Sequence, residues 1–236
     1  MYTRRFLTVA SARNWVLVTC VAAAWLATSV ARADTTASDW RQAVRKFAAE
    51  HFRHPAWGYS HSVRDYELAT ALAREDGVVV DDDVLYAAAY LHDMAAFAPW
   101  DREKEGIDHA DEAARIVDKV LTGAGFPMAK IDTVRSAIRT HMFERDPVGP
   151  EATYLHDADA LDWLGAIGVT RIVALVDPNG GDPDGPKAIK MLDDNLTVVP
   201  RRVLSPAGRR RAPALESELR RFLQDLRRET DNLRTL

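Results

Sequence analysis

The stretch that most constrains this chain is Tyr86-Ala87-Ala88-Ala89-Tyr90-Leu91-His92-Asp93. Six mostly apolar residues offer no polar face to water, so whatever they form is buried. They carry an imidazole and a carboxylate into the interior, or to its edge. A buried carboxylate is costly unless something compensates it, and a metal ion is one common compensation. Taken alone, the pair fits equally the polar end of a buried helix. The choice between these readings depends on partners elsewhere in the chain.

Almost every segment from Ser38 onward has helical spacing. Ser38 is expected to cap a helix whose apolar stripe includes Trp40, Val44, Phe47 and Ala48. A second helix is expected over residues 60–75, with Val63, Tyr66, Leu68, Ala69 and Leu72 as its apolar positions. Asp81, Asp82 and Asp83 then start the central helix, where negative charge suits the positive end of the dipole. Asp108 caps a further helix stopped by Gly123 and Gly125, and the next runs through Ile131, Val134 and Ile138 to His141. Residues 151–175 read as helical with a break near Gly165 and Gly168, and residues 187–236 as a mostly helical extension with an amphipathic basic finish. Val78-Val79-Val80 is the one strand-like run, and its three residues between Gly77 and three aspartates suit a connector better. The expected class is all-α, a single domain of about seven to nine helices without internal repeats.

Residues 1–33 are of another kind. They hold Arg4, Arg5, Arg13 and Arg32 with no acidic residue, then an apolar run over residues 15–30 that leads to Ala31-Arg32-Ala33. A basic start, a short apolar middle and an Ala-x-Ala end make a secretory signal peptide, with cleavage expected after Ala33. The competing reading is a membrane anchor, but a span needs about 20 apolar residues and this run is shorter. The mature protein, residues 34–236, is therefore expected in the periplasm or outside the cell, with no stable membrane span. Arg4-Arg5-Phe6-Leu7 resembles a twin-arginine signal without its usual spacer, which leaves Sec and folded export both open. Cys20 lies inside the apolar run, so the mature chain has no disulfide and no thiol chemistry. Four of the 31 basic side chains and none of the 35 acidic ones lie in the first 33 residues, which leaves 27 against 35, a net of −8. Nucleic acid is not an expected partner for such a charge.

Partners for His92-Asp93 exist. His61 lies one helix earlier, and Asp159 lies in Leu155-His156-Asp157-Ala158-Asp159-Ala160-Leu161-Asp162. Imidazole and carboxylate together suit Mn, Fe, Co, Ni or Zn, and two of each leave room for water. The order, a histidine, a His-Asp pair about thirty residues on and a distant aspartate, resembles the HD superfamily of metal-dependent phosphohydrolases. Tyr90-Leu91-His92-Asp93-Met94 is similar to the superfamily's apolar-LHD-apolar core. Asp157-Ala158-Asp159-Ala160-Leu161-Asp162, followed by Gly165-Ala166-Ile167-Gly168-Val169-Thr170-Arg171, resembles a segment of one subfamily of small bacterial HD hydrolases. The resemblance covers residues 58–171, with a weaker echo near Lys190.

What it implies is a divalent metal, one ion or two, held by His61, His92, Asp93 and Asp159, with Asp157 behind them. It further implies hydrolysis of a nucleotide or other small phosphate ester by a metal-activated water. Asp93 would orient that water, and His109 or His141 would protonate the leaving oxygen. Arg171 and Lys190 are the candidate phosphate contacts, because Ala160 stands where the pattern often has a basic residue. Asp65 stands where the subfamily commonly has a second histidine; one turn from His61, it is a candidate substrate contact that brings negative charge toward a phosphate. His109 and His141 complete the order seen in two-metal members, among them di-iron oxygenases. Each is open to three readings: a second metal's ligand, a substrate contact or general acid, or a plain polar residue. A non-catalytic, metal-stabilised helical module is the remaining alternative. His51, His54 and His156 read as surface or structural, and Trp57 and Trp100 as loop residues able to line a pocket. No Gly-Lys-Ser/Thr phosphate loop and no Gly-x-Ser-x-Gly elbow occurs. Oligomeric state has no signal in the sequence.

Overall fold

A computed structural model describes residues 34–236; the expected signal segment lies outside the described residues. Nine α-helices account for most of them: α1 (Asp34–His51), α2 (Tyr59–Glu75), α3 (Asp82–Leu91), α4 (His109–Ala124), α5 (Ile131–Arg139), α6 (Pro150–Leu161), α7 (Gly165–Val173), α8 (Gly185–Val198) and α9 (Pro206–Glu229). No β-strand occurs among the described residues, and Val78-Val79-Val80 is a connector. None of their helices is long and apolar enough to cross a membrane.

The apolar run forms the innermost helix, α3. Asp81 opens it by accepting hydrogen bonds from the backbone N–H groups of Asp83 and Val84, which the first turn leaves without intrahelical partners. Every side chain from Val84 to Leu91 is buried. Three successive alanines on this helix let its neighbours approach closely, and α1, α2, α5 and α6 pack around it. Ion pairs hold its solvent end. Arg41 of α1 reaches Asp83 at 2.7 Å, and Lys130 bonds both Asp81 and Asp83 at 2.8 Å. Burial pushes the Asp83 carboxyl up, but the bonds from Arg41 and Lys130 outweigh it and hold the group below its usual range. The other end of α3 points into the protein, and His92 and Asp93 are there.

Two features of the chain aim the surrounding helices. Between α6 and α7, Gly165 takes φ +60°, a left-handed conformation that costs glycine little. A side chain on Gly168 would lie 2.2 Å from the Trp163 carbonyl oxygen. This tight turn sends α7 back so that Arg171 returns to the end of α6. On the far side of α6, Asp157 accepts hydrogen bonds from the backbone N–H groups of Leu204 and Ser205 at 2.9 and 2.6 Å. It thereby anchors the entry to α9 and is not behind the metal ligands as expected, because residues two apart on a helix face nearly opposite ways.

Three local expectations need correction. Ser38 is inside α1, which begins at Asp34. Gly123 lies within α4, whose end is set by Gly125 at φ +85°. The buried face of α2 takes in only part of its apolar stripe: Ala69 and Leu72 are buried, but together with His61, Ser62, Asp65 and Ala73, whereas Val63, Tyr66 and Leu68 are only half-buried. Half of that face is polar because it faces the site.

Candidate metal centre

His61 and Asp65, one turn apart on α2, meet the end of α3 and the middle of α6. The His61 Nε2 lies 3.2 Å from Asp65 Oδ2, 3.3 Å from Asp159 Oδ1, 3.6 Å from Asp93 Oδ2 and 3.3 Å from His92 Nε2. All five residues are less than a tenth exposed.

The rings are aimed from behind. The Nδ1 of His61 donates to Asp162 at 2.9 Å, that of His92 to the Ala89 carbonyl at 2.9 Å, and that of His141 to the Ile138 carbonyl at 2.6 Å. A carbonyl or carboxylate oxygen only accepts, so each Nδ1 carries a proton and each ring turns its Nε2 inward. Carboxylate oxygens and nitrogen lone pairs facing one another at these distances repel unless a positive charge lies between them. The atoms left without any hydrogen bond tell the same story: both oxygens of Asp65 and the Nε2 of His141 are buried and unpartnered. Asp65 is within ion-pair distance of His61, yet the angle is not that of a hydrogen bond. Burial works against a charged His61, but Asp65, Asp159 and Asp162 together outweigh it and the ring is pushed up to about 10. A proton there, or a metal in its place, supplies the missing charge. Two clusters have the donor set and spacing to hold an ion: His61, Asp65, His92 and Asp159, and His92, Asp93 and His141.

Asp93 joins the two. Its Oδ2 faces His61 and His92 at 3.6 and 3.4 Å, while its Oδ1 faces His109 and His141 at 3.4 and 3.6 Å. Burial pushes its carboxyl up, but His92, His109 and His141 together hold it well below the usual range. Asp159 is likewise held down against burial by His61.

Asp162 and Arg64 form the support that the sequence reading did not assign. Asp162 accepts from Arg64 at 2.8 and 2.7 Å, from His61, and from Arg171 at 3.1 Å. Burial would raise its carboxyl, but Arg64 and His61 depress it far below the usual range. The available signal was spacing: Asp162 is three residues from Asp159 and shares its helix face.

A cavity of about 360 Å³ opens above the ligands. Asp93, Asp159, His109 and Arg171 form its floor, Trp57, Phe143 and Trp163 its walls, and Asp101, Glu103 and Asp108 part of its rim. Arg171 is buried, with its guanidinium 3.5 Å from the Trp163 ring centroid and Nη2 3.5 Å from His61 Nε2. The structure thus brings together His61, His92, Asp93, Asp159, His109, His141 and Arg171. Lys190 is elsewhere: it is exposed on α8, bonded to Asp194 at 2.6 Å, and does not line the cavity. Asp65 does not line the cavity either, being fully buried under the imidazoles, so the expected substrate contact is not met. Trp100 packs against Phe47 and His51, away from the cavity wall.

Residues 58–164 match the family profile of the HD domain. Several solved structures share the fold. A protein of Lactobacillus plantarum is 19% identical, with a TM-score of 0.61 over 80% of this chain and 96% of that one. A predicted HD superfamily hydrolase from an uncultured Thermotogales bacterium is 25% identical, with a TM-score of 0.56 over 81% and 91%. Bacillus subtilis YpgQ, solved in complex with ADP, is 18% identical, with a TM-score of 0.61 over 80% and 97%. No curated protein matches the chain by sequence.

Proposed function

The chain belongs to the HD superfamily, and from that premise we propose that it is a metal-dependent phosphohydrolase acting on a nucleotide or other small phosphate ester. The observation that carries this reading is that Asp93, Asp159 and His109, which adjoin the buried unpartnered atoms of Asp65 and His141, line an open cavity. A closed structural metal site has no reason to face a cavity, whereas a hydrolytic one must admit water and substrate. His61, His92, Asp93 and Asp159 would hold the first ion, and Asp93 and His141, beside His92, a second. A bound divalent ion supplies Lewis acidity toward a phosphoryl oxygen and lowers the pKa of water.

The chain's own residues do the rest. Arg171, held in place by Asp162 and by the face of Trp163, presents positive charge to the ester at the cavity floor. His109, with its side chain 29% exposed and its Nε2 directed at Asp93, is placed to give a proton to the leaving oxygen. Asp93 and Asp159 orient the attacking water by accepting its hydrogen bonds. Trp57, stacked on His54 with centroids 3.6 Å apart, and Trp163 offer flat apolar walls that suit a nucleobase. The ADP found with the Bacillus subtilis relative supports a nucleotide. The acidic rim, Asp101 and Glu103, favours the less charged members of that class, monoesters over polyphosphates. The substrate is a small molecule and not nucleic acid, a reading supported by the net −8 of residues 34–236, and the expected signal peptide supports a periplasmic reaction.

One geometric fact favours a second reading. His109 and His141 both face the same Asp93 oxygen, the arrangement that a di-iron oxygenase on this scaffold would also need. The deciding experiment is metal analysis of chain expressed under reducing conditions, paired with a screen of phosphate esters in the presence of Mn2+, Ni2+ and Co2+. Phosphate release is the expected result. Two irons per chain with oxygen uptake and no phosphate release would replace the first reading by the second.

A further inference from the structure

We propose that Asp65 is a direct ligand of the enclosed metal position, a third carboxylate that biases this centre toward oxygen-preferring ions such as Mn2+ over Zn2+. This rests on the reading that the cluster holds a metal, and it adds a ligand which that reading does not require. Asp65 has no surface exposure, and neither of its oxygens has a hydrogen-bond partner in the protein. Its Oδ2 lies 3.2 Å from the Nε2 of His61 and 3.6 Å from the Nε2 of His92. Those two nitrogens are aimed by bonds on the opposite edges of their rings. One oxygen therefore sits at the focus of two imidazoles, and it shares one possible ion position with Asp159.

Without a metal its contacts are the two imidazoles themselves, at ion-pair distance but without the angle of a hydrogen bond. The arginines near the site are engaged with Asp162, and the cavity does not reach it. A buried carboxyl without a hydrogen bond weakens a fold, so its main gain comes when a cation arrives. With Asp65 counted, the enclosed position offers two imidazoles and the carboxylates of Asp65 and Asp159 in one set, with the Asp93 Oδ2 adjoining it 3.6 Å from the His61 Nε2. Carboxylate-rich shells suit Mn2+, whereas Zn2+ favours nitrogen and sulfur donors at low coordination number.

The test uses full chain stripped of metal with chelator, and titrates Mn2+ and Zn2+ separately against wild type, Asp65→Asn, Asp65→Ser and His92→Ala. Asn preserves the shape of the side chain and removes its charge, and Ser removes the bulk as well. In both Asp65 variants Mn2+ affinity is expected to fall at least about tenfold, equivalent to about 1.4 kcal/mol. Zn2+ affinity should fall less, so the ratio of the two constants moves toward Zn2+. The metal-free melting temperature should hold or rise, because a buried carboxyl without a hydrogen-bond partner has gone. If both Asp65 variants bind Mn2+ as wild type does while His92→Ala loses it, Asp65 is no ligand and the proposal fails alone. A parallel loss of both ions with no change of ratio also overturns the preference proposed. Failure of both Asp65 variants to fold counts against it too, since a side chain that serves only the ion is not needed by the metal-free fold. Absence of binding even in wild type removes the metal reading itself, and the proposal with it.

Discussion

The two oxygens of Asp93 look onto two different kinds of site. On the Oδ2 side, His61, His92 and Asp159 are almost wholly enclosed, with Asp65 beneath them, and the rings are fixed by Asp162 and the Ala89 carbonyl. On the Oδ1 side stand only His141, which is buried, and His109, which is partly exposed at the start of α4 and lines the cavity. One side has its polar atoms gathered before any ion arrives. The other has two nitrogens and a shared oxygen, so most of its coordination must come from water or substrate. Enclosure serves affinity, and incompleteness serves chemistry, because an open coordination position is where a substrate enters. The enclosed position should therefore fill first and release its ion slowly, and the open one should exchange readily.

The largest effect should follow from damage to the enclosed side. His92→Ala removes the ligand nearest the core, and the expected outcome is loss of bound metal at both positions with no detectable phosphate release. Elemental analysis of the purified variant and an initial-rate assay measure this. A variant that kept one ion and ran at wild-type rate would dissolve the distinction between the sides. His141→Ala should be milder. It strips the open side and leaves the enclosed ligands intact, so metal content should fall toward one ion per chain. Turnover should drop on the order of a hundredfold, a size typical for loss of one positioned catalytic group. Equal metal loss in the two variants would mean that the open position has no independent existence.

The contrast between the sides also governs how much of the centre could be read before the fold was known. His92 and Asp93 stand out because the residues before them are mostly apolar, and such a run is buried. His61 and Asp159 could be added because their types and order match a known pattern, and the structure gathers them. The support was hidden for a physical reason. Arg64 and Asp162 are 98 residues apart in the chain, and nothing local marks a carboxylate as the partner of one arginine among many. Asp157 and Asp159 look equivalent in a string, but a helix turns them to different sides, one to α9 and one to the centre. Lys190 failed because α8 packs on α7 and α9, away from the ligands. The spacing from His61 gives the helix face of Asp65 but not its depth, which is why a substrate contact is expected of it and a fully buried position is found. The fold class was easier, since helical spacing repeats through the whole described chain and needs no knowledge of who packs on whom.

A finer test asks whether the support behind the enclosed side matters as much as its ligands. Asp162 touches no cavity ion position directly; it holds His61 by Nδ1 and ties down Arg64 and Arg171. Asp162→Asn keeps the size of the side chain but removes the negative charge and one acceptor, so His61 loses a firm anchor and its Nε2 becomes a poorer donor. Residues that orient a ligand typically contribute about tenfold to a hundredfold in metal affinity, and the loss should fall on the enclosed side alone. Metal titration of the variant should show one weakened and one unchanged constant. Turnover at saturating metal should recover most of the wild-type rate, because Asp93, His109 and His141 are untouched. Recovery by added metal separates an orienting role from a catalytic one. If turnover stayed low at saturating metal, Arg171, now tied less firmly, would be the group whose placement had been lost, and the boundary between the two sides would have to be redrawn to include it.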